Sequence, residues 1–265
     1  MAASVSSTSE AAFAALKARA EADPGVLGLW LGGSRGKGRA TDASDHDCGL
    51  VVADDAVAAW RAWCAARAPD GIDAAVFTQR QFAAYAAWDG PQAWDRYSFV
   101  DVRALIDRTG DIQALIDDKA RIPPAAIEAF AAAALDRFVN QAYRAMKCAR
   151  DGDALASRLE AAQAPEAALD FLFAIDGGRL RPYPKYLGWE LQRRPLEGVP
   201  WTGAALLALV DQALGAAPAP ALQALLDALT PLARSRGHGA TLDAWGAALP
   251  WMLAWSPDNL PRGHR

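Results

Sequence analysis

At Ile122-Pro123-Pro124 the chain changes character, and that change constrains its fold more than any other feature. Upstream, short apolar runs alternate with helical patterns and glycine-containing turns. Downstream, apolar residues recur at helical spacing almost without interruption. A proline has no N–H to donate and pushes the residue before it out of the helical region, so two in succession separate the upstream part from the downstream part. The reading is an α+β protein: a small mixed-sheet domain over residues 1–122, then an all-α helical bundle over 123–265. A chain of 265 residues is long enough for both.

In the first part, Ser7 and Glu10 are spaced as a capping box for a helix carrying Ala12, Phe13, Leu16 and Ala20, which Asp23-Pro24-Gly25 stops. Strands are expected over 26–31, 46–53, 72–78 and 99–107, and helices over 56–68 and 111–120. In the second part, a long helix to Arg150 is expected to bury Ile127, Phe130, Ala134, Phe138, Ala142 and Met146. Another runs over 153–176, breaks near Pro165 and stops at Gly177-Gly178. Further helices are expected near 203–215, 219–235 and 241–255, with a loose tail after Pro257.

The net charge of −4 argues against a general nucleic-acid binder, which needs a clustered basic surface. Cys48, Cys64 and Cys148 make no metal or disulfide spacing and read as packing thiols of a reducing compartment. Residues 1–10 lack the basic start and apolar core of a signal peptide, and no long apolar run is free of charge. The expectation is a cytoplasmic protein with no membrane partner. The ten tryptophans, Trp88, Trp94, Trp189 and Trp201 among them, read mostly as core or domain-interface residues.

The chemistry is concentrated in Leu29-Trp30-Leu31-Gly32-Gly33-Ser34-Arg35-Gly36 and Ser44-Asp45-His46-Asp47-Cys48-Gly49-Leu50. This is a strand, a glycine-rich turn, a loop, and Asp-x-Asp opening a second strand. Gly32 and Gly33 let the backbone approach a bulky anion, and a turn of this kind aims N–H groups at phosphate oxygens. Ser34 adds a hydroxyl donor. Asp45 and Asp47 are two residues apart, so in a strand both point to one face. Carboxylates that close repel one another unless a cation lies between them, and hard oxygen ligands with phosphate suit Mg²⁺. Asp73, near the start of the next strand, completes the cluster if that strand pairs beside the second.

Gly33-Ser34, ten residues, then Asp45-x-Asp47 and an apolar strand resembles the signature of the DNA polymerase β-type nucleotidyltransferase superfamily, over roughly residues 10–120. The resemblance implies that Gly33 and Ser34 hold a triphosphate, and that Asp45, Asp47 and Asp73 are catalytic ligands of Mg²⁺. His46 departs from the pattern, which usually has an apolar residue between the aspartates. The segment from Phe171 to Leu187 is similar to one in small-molecule nucleotidyltransferases, including those that modify aminoglycosides and lincosamides. That likeness implies nucleotide contacts from Tyr183 and Lys185.

Arg35 reads either as a phosphate contact or as a surface residue. Asp136, Asn140, Arg144 and Lys147 form a polar stripe on the long helix, read either as a solvated face or as a cleft face bringing Arg144 or Lys147 to the nucleotide. His46, His238 and His264 have no partner at metal spacing and read as surface or packing residues. Glu128, Asp136, Asp170 and Asp176 are open candidates for a general base. The reaction implied is transfer of a nucleoside monophosphate, AMP from ATP, to a hydroxyl of a small molecule such as an aminoglycoside- or lincosamide-type antibiotic, without a nucleic-acid template. The alternatives are an antitoxin-type enzyme that adenylylates a partner protein and a degenerate member that only binds.

Overall fold

The computed structural model describes residues 5–256. His264 and the tail after Pro257 lie outside them. The described chain is mixed α+β, with one four-stranded sheet and many helices. It divides into two compact units, Met1–Arg121 and Ile122–Arg265.

In the first unit, helix α1 (Val5–Ala22) leads into β1 (Val26–Leu31), the short helical turn α2 (Gly33–Gly36) and β2 (His46–Val52). Then come α3 (Val57–Ala65), β3 (Ile72–Phe77), α4 (Gln79–Ala84), β4 (Ala104–Asp107) and α5 (Ile112–Lys119). The sheet order is β3-β2-β1-β4. β1 is antiparallel to β2 and β4, whereas β2 and β3 are parallel and joined through α3. α1 is already helical at Val5, so Ser7 falls inside the helix and not at the boundary a capping box requires.

Strand side chains alternate between faces, and the two faces carry separate cores. One packs Cys48, Leu50, Val52, Ile72 and Val76 against Leu16 and Ala20 of α1 and Val57, Trp60 and Cys64 of α3. The other packs Trp30 and Val51 against Phe82, Phe99, Ile112 and Ile116. Gly49 lies under Trp30: a Cβ there would come within 1.9 Å of the indole. Of the named tryptophans, Trp94 is 72% exposed and Trp88, Trp189 and Trp201 are half-buried. The buried set includes Trp30, Trp60, Trp251 and Trp255 instead.

The stretch between β3 and β4 holds α4 and a 3₁₀ helix over Ala93–Phe99, so β4 is shorter than the run expected from Phe99. Buried cations hold it. Arg96 donates to the carbonyls of Ala86 (2.8 Å), Arg121 (2.8 Å) and Asp118. Lys119 donates to Ala83 O at 3.2 Å, and Lys37 to Tyr97 O at 3.4 Å and to Val100 O. Burial lowers the pKa of Arg96 and of Lys119. Their hydrogen bonds to carbonyls replace the water each has lost.

In the second unit every regular element among the described residues is a helix: α6 (Ile127–Arg150), α7 (Ala154–Ala161), α8 (Ala164–Ile175), α9 (Pro184–Arg193), α10 (Gly203–Ala213), α11 (Ala219–Ser235), α12 (Gly239–Asp243) and α13 (Ala248–Leu253). α6 is the hub, packing on α7, α8, α11, α12 and α13. It buries Ala134, Phe138, Ala142 and Met146 together with Ala131, Leu135, Val139 and Ala145, while Ile127 and Phe130 are only half-buried. α8 ends where Gly177 and Gly178 take left-handed φ of 73° and 74°. α9 lies where no helix is expected from the sequence, with Pro184 in its first turn, where a missing N–H costs nothing.

Candidate metal centre

β2 and β3 are parallel and in register, with Asp47 beside Asp73. Both carboxylates therefore leave the sheet on one face, at the end where both strands begin. Asp45 lies just before β2 and joins them: one carboxylate oxygen from each of Asp45, Asp47 and Asp73 lies within 4.8 Å of the others. Asp47 is half-buried, while Asp45 and Asp73 are exposed.

β1 runs antiparallel to β2, so its C-terminal end arrives at the same place. Gly32 N donates to Asp47 O at 2.7 Å, extending the ladder past β1. Gly33 then turns the chain into α2 with a left-handed φ of 56°. Its backbone lies so close to Asp47 that a Cβ would sit 1.6 Å from Oδ2. The turn closes through Gly36 N to Gly32 O (2.7 Å) and Lys37 N to Gly33 O (3.2 Å). Ser34 lies half-buried within it. What reads in sequence as open loop is thus a helical turn set against the acidic cluster.

Arg35 is on the same turn and turns inward. Its side chain is 10% exposed. Nε donates to Ser44 O (3.1 Å) and Asp45 O (3.1 Å), Nη2 donates to Ser44 O (2.9 Å), and Nη1 pairs with Glu10 of α1. His46 points away from the aspartates. Its Nδ1 lies 2.7 Å from Ser9 Oγ, its ring stacks on Phe13 with centroids 4.6 Å apart, and Nε2 is 3.6 Å from Glu10. Burial, helped by the Arg35 charge, lowers its pKa. His46 is a packed and hydrogen-bonded core residue, its buried polar ring satisfied by Ser9.

The three carboxylates suit a hard divalent cation better than a soft one, and among the described residues no thiol or imidazole joins the cluster. Cys48, next to Asp47, belongs to the core on the other face, where burial pushes its thiol up to about 12. The space filled by the carboxylate against Gly33 is one that any side chain at position 33 would take. On donor chemistry and on the Gly33 cradle, the residues fit Mg²⁺.

The remaining nucleotide candidates belong to the second unit. Arg144 is exposed and paired with Glu160, and Lys147 lies one turn on, its Nζ 5.1 Å from the Tyr143 ring centroid. Tyr183 is the N-cap residue of α9, and the exposed Lys185 has its Nζ 4.9 Å from the Tyr186 ring centroid. Three of the four candidate bases there accept hydrogen bonds. Asp170 accepts from Arg137 and Arg181 at 2.6 Å each, Asp176 from Arg179 at 2.6 Å, and Asp136 from Trp245 Nε1 at 2.9 Å. Glu128 Oε1 lies 3.4 Å from Nδ1 of the buried His238.

Sequence reasoning missed Glu10, Ser9 and Phe13 as supports of the site. The signal available for them was weak: a polar pair beside an aromatic on the first helix. Compared with models of known protein families and with characterised proteins, the chain matches none.

Proposed function

We propose that this protein is a Mg²⁺-dependent nucleotidyltransferase that moves AMP from ATP to a hydroxyl of a small molecule, of the aminoglycoside or lincosamide kind. The observation that carries the reading is the convergence of Asp45, Asp47 and Asp73 within 4.8 Å, with the Gly33 turn set against Asp47. The resemblance of Gly33-Ser34 and Asp45-x-Asp47 to the polymerase β-type pattern supplies the reaction type.

In this reading Asp45, Asp47 and Asp73 would hold the cation, which when bound would supply positive charge against the triphosphate. Gly33 and Ser34 open a helical turn, and the first N–H groups of a turn have no partner within it, which suits them to phosphate oxygens. Asp73 is exposed on the edge strand β3, and the reading gives it the part of aligning the acceptor hydroxyl. The acceptor hydroxyl displaces pyrophosphate at the α-phosphorus, and the work of the protein is positioning and charge stabilisation.

The test is Mg²⁺-dependent transfer of AMP from α-labelled ATP to a panel of aminoglycosides and lincosamides, read by mass spectrometry. Asp47→Asn is expected to lower the rate by about a hundredfold or more, the scale of losing one charge-stabilising group. Equal turnover by the wild type and the variant would sink the assignment.

A further inference from the structure

Two of the three carboxylates are held by the sheet. Asp47 lies within β2 and Asp73 within β3, side by side in a parallel ladder. Asp45 precedes β2, at the end of a loop that begins after the α2 turn. Three carboxylates this close repel one another. The member on a loop is the one that repulsion displaces most easily, so its backbone needs a separate anchor.

Arg35 is placed to provide it. Its Nε bridges Ser44 O and Asp45 O at 3.1 Å each, and Nη2 reaches Ser44 O at 2.9 Å. A planar guanidinium binds two adjacent carbonyls in one fixed geometry, which an ammonium does not. Glu10 of α1 engages Nη1. On either side of Asp45 the chain is tied again: Ser44 Oγ accepts from Thr41 N at 2.9 Å, and His46 N donates to Gly71 O at 2.9 Å. One short turn therefore touches two ligands, with the Gly33 backbone against Asp47 and the Arg35 side chain on the Asp45 carbonyl.

We infer that Arg35, drawn in by Glu10, is a positioning residue that holds Asp45 in the carboxylate cluster, and that it is not a phosphate ligand. This rests on reading the cluster as a divalent-cation site. A positioning residue changes affinity for the cation alone. A phosphate ligand changes affinity for the triphosphate without cation.

The experiment titrates Mn²⁺ alone, and separately ATP in excess chelator, into the full chain by calorimetry, with thermal unfolding run alongside. Arg35→Gln is expected to weaken Mn²⁺ binding by roughly tenfold or more, the usual effect of losing a supporting contact behind a ligand, and to leave chelator-ATP affinity unchanged. Arg35→Lys keeps the charge but loses the fork, and recovers only part of the Mn²⁺ affinity. Glu10→Gln keeps both carbonyl contacts and weakens Mn²⁺ less than Arg35→Gln. If Arg35→Gln does not fold, the Arg35→Lys and Glu10→Gln pair carries the test, and wild-type Mn²⁺ affinity in both overturns the proposal. Unchanged Mn²⁺ affinity in Arg35→Gln, with binding abolished in Asp47→Asn, overturns the positioning role and leaves the metal centre standing. Absence of Mn²⁺ binding to the wild type overturns the metal centre, and the positioning role with it.

Discussion

Gly33 and Asp47 share a space with no room for one more carbon: a Cβ on Gly33 would lie 1.6 Å from Asp47 Oδ2. Gly33 also has a left-handed φ of 56°, which costs an L-residue about 1–2 kcal/mol. Gly33→Ala is therefore expected to harm the centre more than the fold. The variant should keep its circular dichroism spectrum and lose Mn²⁺ affinity, because the Asp47 carboxylate has to swing away. Retained Mn²⁺ affinity would show that Asp47 does not need the Gly33 cradle.

Gly49 makes the same point inside the core, where the Trp30 indole crosses the strand and a Cβ at residue 49 would lie 1.9 Å from it. Trp30 in turn packs on Phe82, Phe99 and Phe77. Gly49→Ala is expected to destabilise the protein by about 1–3 kcal/mol, the usual scale of overpacking. Urea unfolding measures it. An unchanged midpoint would mean that Trp30 has room to move.

The first three strands were legible as short apolar runs bounded by turn residues, and the Asp45/Asp47 spacing by the two-residue repeat of a strand, both local signals. The Asp47–Asp73 pairing was conditional, since sequence does not say which strands are neighbours, and the parallel register supplies the condition. Arg35 was open between phosphate and surface because its partners, Glu10 and the Ser44 and Asp45 carbonyls, depend on where α1 and the loop meet. The region between β3 and β4 was illegible for a related reason. Its order comes from Lys37, Arg96 and Lys119 donating to main-chain carbonyls, which leaves no periodic trace. α9 was hidden by the prolines and tyrosines around its start, although Pro184 stands where a helix accepts one.

Asp107 closes the turn between β4 and α5, with Oδ1 accepting from Gly110 N at 2.7 Å and Oδ2 from Gln113 N at 3.0 Å. Burial alone would raise its pKa, but the N–H groups of Gln113, Gly110 and Ile112 and the Thr109 hydroxyl bring it below 3.8. A carboxyl with a folded pKa below its unfolded one stabilises the protein above the unfolded value, and that stability is lost as pH falls through the folded one. Asp107→Ala should cost about 0.5–2 kcal/mol at neutral pH, as for loss of a helix-capping group. The gap between variant and wild type should narrow as the pH falls below the ordinary aspartate range and through the lowered folded pKa. A gap independent of pH would mean that the ionised carboxylate is not what holds the turn.

The thiols divide by burial. Cys48 and Cys64 are buried, with pKa values pushed up by burial to about 12 and about 11, whereas Cys148 is half-buried. Thiolate is the reactive form, so at about pH 8, near the ordinary thiol pKa, iodoacetamide should label Cys148 first and reach Cys48 and Cys64 only with unfolding. Peptide mapping of the alkylated protein reads the order. Early labelling of Cys48 would place it outside the core that backs the metal centre.

The most direct test of the central claim is calorimetric binding of ATP, GTP, CTP and UTP in the presence of Mg²⁺, comparing the wild type with the double variant Asp45→Asn/Asp47→Asn. The account predicts Mg²⁺-dependent binding of ATP to the wild type and its loss in the double variant. Binding of no triphosphate by folded wild type, or equal binding by both proteins, would contradict it.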